Sequence, residues 1–423
     1  MFSLTNIRKN TFKIKHWSIS DQDNLTVDDV YLARKYIQVY WSKLTVFNPK
    51  DSGTLIGLPY PYLIPSKKNF KGFDFDEMYY WDSYFMIQGF LNSEANKDLV
   101  LGILENLFYL FRRFKIIPNA SREYLVSHSQ PPLLTSFIFD VYDSYKMSIE
   151  WLEKSMAIAK EEYRTVWMNQ EAPYYHQVFK GLSRYYDLND SLAENESGWD
   201  KTIRFDRHCL DYLPIDLNCL LYKYETDFQR AAQISGNDYE ASFWQAKARL
   251  RADNINYLMW DRSMGLFYDY DFVNNKKSSI RSLATYFALW SGLANNFQAQ
   301  KLRDNLLFFE HQGGLVTTDF LPEKFQFKNF LNFQWAYPNG WAPLHFIVIK
   351  GLRRYGFNDD ARRISMKWLK TNLLWFEQND NFLEKYNVAN LNKQPAKGIY
   401  VSQTGFGWTN AIFERLCQDF IDY

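Results

Sequence analysis

Apolar residues recur along much of the chain at three- and four-residue intervals, the spacing of amphipathic helices. Leu101, Leu104, Leu107, Phe108 and Phe111 predict one helix over Leu101–Phe114. Similar spacing predicts helices over Glu150–Ala159, Tyr239–Met259 and Val30–Lys43. Alternation with a period of two is rare and short, so the pattern is that of a mainly helical protein. No repeat of fixed period is legible. Polar loops marked by Gly or Pro separate the helices, over residues 53–65, 118–132, 187–198, 312–318, 336–343 and 387–407. They hold most of the Trp, Asn, Gln and carboxylate residues that cluster with Gly or Pro. Polar loops on a helical scaffold are where binding residues tend to sit.

A length of 423 residues admits two or three domains. No Pro/Gly/Ser-rich linker, low-complexity segment or break in aromatic density divides the chain. One domain over 1–423 is therefore expected, with residues 1–30 as an N-terminal extension packed on it. Lys and Arg total 49 against 48 Asp and Glu, a balance that gives no reason to expect a nucleic-acid or acidic-membrane partner. No run of about 18 apolar residues predicts a membrane span, and no secretory signal is legible near Met1. Cys209, Cys219 and Cys417 are too few and too scattered for a disulfide framework. Together these features predict a cytoplasmic protein; oligomeric state is left open. Aromatic residues make up 19% of the chain, enough both to fill a core and to line a pocket that stacks on sugar rings.

Several chemistries lack their residues. The six histidines never pair at i, i+4 and none belongs to a Cys/His cluster, so no metal is expected. There is no Gly-rich phosphate loop, and Gly405-Phe406-Gly407 lacks the third glycine of a dinucleotide site. No nucleophile elbow is present. Carboxylates remain. Glu196-Ser197-Gly198-Trp199-Asp200 sets two acids beside a glycine that permits a sharp turn and a tryptophan that can desolvate a neighbour; a solvated loop is the equal alternative on these residues alone. Asp82 sits inside the aromatic run Tyr79 to Tyr84, where a buried acid needs partners or a ligand, though a satisfied structural Asp also fits. Glu384-Lys385 in isolation reads as a solvated surface pair. Gln334 to Pro343 holds two Trp, two Pro and several amides, which suits a rigid wall for a sugar or a loop that caps the core.

At these residues the chain resembles the trehalase family, glycoside hydrolase family 37. Glu77-Met78-Tyr79-Tyr80-Trp81-Asp82-Ser83-Tyr84 is similar to the end of the family's first signature. Ile117-Pro118-Asn119 with Ser129-Gln130-Pro131-Pro132, Glu196 to Asp200, Gln334-Trp335 with Pro338 to Pro343, Glu384-Lys385-Tyr386 and Gly405 to Asn410 resemble further blocks in the same order. The resemblance implies an all-α (α/α)6 toroid and an inverting hydrolase of a small α-glucoside, such as α,α-trehalose or a related disaccharide or glucosyl conjugate. It implies Asp200 as general acid and Glu384 as general base. Trp81, Asp82, Asn119, Gln130, Trp199, Gln334, Trp341 and Trp408 are the expected carbohydrate-binding residues. No cofactor is implied. The chain departs from the family where Asp74, His128, Ala336 and Ile399 stand at sugar-binding positions. Two other readings are carried: a sugar-binding or regulatory protein on the same scaffold, and an inverting phosphorylase. Retention of both Asp200 and Glu384 counts against the first; the second needs a cationic phosphate site and no base, so the presence of Glu384 and the missing arginines count against it.

Overall fold

The computed structural model describes residues 26–67, 75–91, 93–325, 333–396, 398 and 402–422. The first 25 residues of the expected extension lie outside the described residues, as do Asp74 and Ile399. In chain order the helices are α1 (Val27–Leu44), α2 (Tyr80–Ile87), α3 (Lys97–Phe114), α4 (Leu134–Tyr145), α5 (Ile149–Glu162), α6 (Asp190–Glu196) and α7 (Ile215–Ile234). They continue as α8 (Asp238–Met259), α9 (Phe287–Ser291), α10 (Asn296–Asp304), α11 (Ala342–Arg354), α12 (Asn358–Asn379) and α13 (Gly407–Phe420). Six of them, α2, α4, α7, α9, α11 and α13, form an inner ring. The helices α1, α3, α5, α8, α10 and α12 pack around it, giving the expected (α/α)6 toroid as a single domain. The described strands are two or three residues long, in keeping with the scarcity of period-two alternation. No described helix is long and apolar enough to cross a membrane.

The two rings differ in how they are buried. In α3 the core face is Val100, Ile103, Leu104, Leu107, Phe108, Leu110 and Phe111, while Arg112 and Arg113 face out. The inner helix α2 has no outward face, since all eight of its residues are buried. Helix starts follow local chemistry: Thr26 caps α1 by accepting the Asp29 N–H, and the Asp29 carboxylate accepts the Thr26 N–H at 2.6 Å.

The ring is closed by its first and last helices. Arg34 on α1 forms a bidentate pair with Glu414 on α13, at 2.9 and 2.7 Å, and reaches Asp422 at 2.8 Å. A planar guanidinium suits this double contact, which fixes orientation as well as distance.

Several inner helices aim their N-terminal ends at the same end of the toroid. Asp82 lies in the first turn of α2, Trp341 and Phe406 are the N-cap residues of α11 and α13, and the 127–133 segment leads into α4. Helix N-termini carry unpaired N–H groups and partial positive charge. That end of the barrel is therefore favourable for carboxylates, and the candidate site forms there.

Candidate active site

A cavity of about 330 Å³ opens at this end of the inner ring. It is lined by nine of the ten residues singled out from the sequence: Asp200, Glu384, Trp81, Asp82, Asn119, Gln130, Gln334, Trp341 and Trp408. The exception is Trp199, which is fully buried one layer behind the wall. It packs between the Arg204 guanidinium, 4.3 Å from its ring centroid, and Trp335, 5.4 Å away. Trp335 faces the cavity instead and stacks on Trp341 at 3.9 Å with the planes 2° apart. The turn at Tyr337-Pro338 brings these two rings, six positions apart, into register.

The loop that carries Asp200 is held from both sides. Gly198 has φ +70°, and a Cβ there would lie 2.7 Å from Cζ2 of Trp81. Only glycine fits both the backbone and the space. Past Asp200, Arg204 is buried and doubly paired, to Asp216 at 2.7 and 2.8 Å and to Asp269 at 2.8 and 3.0 Å. This pins the loop to the start of α7. Glu196, the other acid of the segment, does not face the cavity. It accepts N–H bonds from Ser129 at 2.9 Å and Tyr186 at 2.7 Å and pairs with His176 at 2.9 Å. Glu196 thus ties the Gln130 loop to the Asp200 block.

Burial lifts the Asp200 carboxyl from 3.8 to about 7; the Glu384 charge adds to the rise, while His128 and Lys201 oppose it. Asp82 is also pushed well above the ordinary carboxyl range, first by burial and then by Glu384 and Asp200. Its own N–H and the Trp81 side chain act in the other direction. Three carboxyls lining one buried cavity cannot all be ionised cheaply.

Glu384 and Lys385 are not a solvated pair. Both side chains are buried, and Lys385 Nζ donates to the Glu384 carboxylate at 2.8 Å. The ammonium also lies 3.3 Å from Gln334 Oε1 and 4.8 Å from the Trp341 ring centroid. Lys385 belongs to the strand Lys385–Asn387, which pairs with Asn339–Trp341. That pairing places Glu384 beside the tryptophan wall. The Glu384 carbonyl accepts the Trp408 indole N–H at 3.2 Å, fixing the same segment to α13.

The amides are oriented by the backbone. Asn119 donates to the Ser129 and Asn195 carbonyls at 3.2 and 3.3 Å, which leaves its oxygen for the cavity. Gln130 accepts the Trp81 N–H at 3.0 Å, which leaves its amide nitrogen. One acceptor and one donor therefore stand beside Asp82. Glu77, Tyr79 and Phe406 also line the wall and were not expected to, while Trp335 lies in the segment expected to form a wall but was not among the expected carbohydrate-binding residues. Sequence reasoning also gave no role to Lys385, and noted His128 only as a departure. The tryptophan and phenylalanine had a visible signal, lying inside segments already marked as unusual.

Fold and cavity together define the class: an (α/α)6 toroid of the kind shared by glycoside hydrolases. The family model for trehalase matches residues 15–191 and 169–420. The cytosolic neutral trehalase of Beauveria bassiana is 31% identical over 445 residues, covering 85% of this chain and 58% of that protein. The cytosolic neutral trehalase of Kluyveromyces lactis is 30% identical over 427 residues, covering 84% and 56%. The structure of neutral trehalase Nth1 from Saccharomyces cerevisiae superposes with a TM-score of 0.73 at 27% identity, over 88% of this chain and 76% of that one. A mannosylglycerate hydrolase from Thermus thermophilus shares the fold, with a TM-score of 0.66 at 17% identity over 90% and 99%. The chain belongs to the trehalase family. It spans less than two thirds of the length of these curated relatives, 58% and 56%.

Proposed function

We propose that this chain hydrolyses a small α-glucoside, with α,α-trehalose or a related disaccharide or glucosyl conjugate as substrate, and inverts the anomeric centre. Asp200 gives its proton to the glycosidic oxygen as the C1–O bond breaks. Glu384 takes a proton from a water molecule that attacks C1 from the opposite face. Asp82, the Asn119 oxygen and the Gln130 nitrogen bond hydroxyls of the bound glucosyl ring. Trp81, Trp341 and Trp408 wall the cavity around the sugar. Gln334 helps hold the Lys385 ammonium beside the base. The reaction needs no cofactor.

The observation that carries this reading is that Asp200 and Glu384 line one cavity and that Asp200 is lifted to about 7. A carboxyl that keeps its proton near neutrality can act as an acid there, and its partner has its charge offset by a buried ammonium. The names of the relatives point to trehalose and to the cytosol, and we extend both to this chain. The test is a panel of α-glucosides that includes trehalose and glucosylglycerate, with the first-formed anomer followed by NMR. Trehalose should give one β- and one α-glucose per turnover, glucosylglycerate should give β-glucose first, and Asp200→Asn should abolish turnover. Two α-glucose molecules per trehalose, α-glucose released from glucosylglycerate, or full activity in that variant would end the proposal.

A further inference from the structure

His128 lines the cavity, and its side chain is 1% exposed. Its Nδ1 lies 2.7 Å from Asp187 Oδ2. Asp187 is held in turn: it accepts the Ser127 hydroxyl at 2.9 Å, and its other oxygen accepts the Leu188 N–H at 2.6 Å. Bonds to His128, to the Leu188 N–H and to Ser127 keep the Asp187 carboxyl below its ordinary value. An ionised carboxylate is only an acceptor, so the proton of this hydrogen bond sits on Nδ1. The opposite edge of the ring carries Nε2, a buried atom without a hydrogen-bond partner in the protein. Neither Asp187 nor Ser127 lines the cavity, whereas His128 does, so the ring passes from a buried carboxylate to the sugar-sized space. A buried, unpaired ring nitrogen is costly unless a ligand meets it.

We propose that Asp187 and Ser127 are positioning residues that lock the His128 imidazole, so that its Nε2 hydrogen-bonds a hydroxyl of the bound sugar beside Asp200. This rests on the glycosidase reading and adds to it a three-residue device that the carboxylate pair alone does not imply. The charged surroundings of Asp200 give it a second readout. Glu384 helps keep the proton on Asp200, His128 and Lys201 pull the other way, and the Asp82 and Glu194 carboxyls, themselves raised by the Asp200 charge, also face it. Removing the imidazole therefore raises the proton affinity of the acid.

The discriminating variant is His128→Asn. Its amide N–H takes the place of Nδ1–H against Asp187 but reaches no further into the cavity. A structural role would survive this change. A sugar contact would not: KM for trehalose should rise about tenfold, the consequence of losing one hydrogen bond. The alkaline limb of kcat/KM should move to higher pH. Asp187→Asn should raise KM as well, and should add nothing in the His128→Asn background, because both act through one contact. If His128→Asn fails to fold, 15N NMR of the unmodified protein carries the test. A protonated Nδ1 and a shift of the Nε2 resonance on adding glucose are expected. Unchanged KM and pH limb in folded His128→Asn, or an unmoved Nε2 resonance at saturating glucose, would overturn the assignment. Turnover of trehalose together with either result would leave the glycosidase reading standing. Absence of turnover on every α-glucoside, with no glucose binding, would remove both.

Discussion

Asp200→Asn should stabilise the protein while removing its activity, and the gain should depend on pH. The burial that lifts Asp200 from 3.8 to about 7 disfavours its charged form. Below about pH 4 the carboxyl is protonated in both the folded and unfolded chains, so it contributes nothing. As the pH rises, the unfolded chain loses this proton first while the folded protein keeps it. The folded state then loses about 1.4 kcal/mol per pH unit until the folded group itself ionises near pH 7. From 3.8 to about 7 the loss is about 4 kcal/mol. That is an upper figure, because a folded protein relaxes around a charge that forms inside it, and about 2–4 kcal/mol is the expected range. Asparagine fills the same space and cannot ionise. Urea unfolding of both proteins at several pH values reads the difference directly. The curves should nearly coincide at about pH 4, and the variant should lead by about 2–4 kcal/mol at pH 8. A difference that stays constant with pH would refute the argument, since it would mean that burial does not raise the proton affinity of Asp200. Its use as an acid near neutrality would then lose its physical basis.

Turnover should follow the same proton. As the proposed general acid Asp200 would act only when protonated, so kcat/KM should fall as pH rises through about 7, measurable from initial rates in a constant-ionic-strength buffer series. Gly198→Ala places a Cβ 2.7 Å from the Trp81 ring in a backbone with φ +70°. A loss of about 2–5 kcal/mol is expected from the left-handed conformation and the overlap together. Activity should fall with it because Trp81 is a wall of the cavity; an unchanged melting temperature would count against the packing described. Arg34→Ala removes the bidentate pair with Glu414 that closes the ring. Both partners are partly solvated, so the expected cost is about 1 kcal/mol in chemical unfolding, with kcat/KM unchanged.

The four helices predicted from periodicity over Val30–Lys43, Leu101–Phe114, Glu150–Ala159 and Tyr239–Met259 are α1, α3, α5 and α8. All four belong to the outer ring. An outer helix has one face on the core and one in water, and that contrast writes a 3.6-residue period into the chain. Two of the inner helices are enclosed by neighbours and leave no such mark: α2 is buried at all eight positions and α9 at all five. The predicted 187–198 loop likewise contains α6, a short helix capped by Asn189.

The residue types at the site were legible for a similar reason. Acids, amides and tryptophans set among Gly and Pro are costly to bury without partners, so their clustering is visible in one dimension. Their grouping was not. Asp200 and Glu384 are brought to one cavity because the inner helices point their N-termini to the same end of the toroid. Glu384-Lys385 looked like a surface pair because adjacent opposite charges usually are; a short buried strand made it an enclosed one. Trp199 lies behind the wall and Trp335 in it, although both stand in segments marked in the sequence, since which of two tryptophans faces a cavity depends on what packs behind it. Here that is Arg204, tethered to Asp216 and Asp269. Local composition and periodicity record how each segment meets water, whereas the partners of a buried side chain come from segments far along the chain and exist only once the ring has closed.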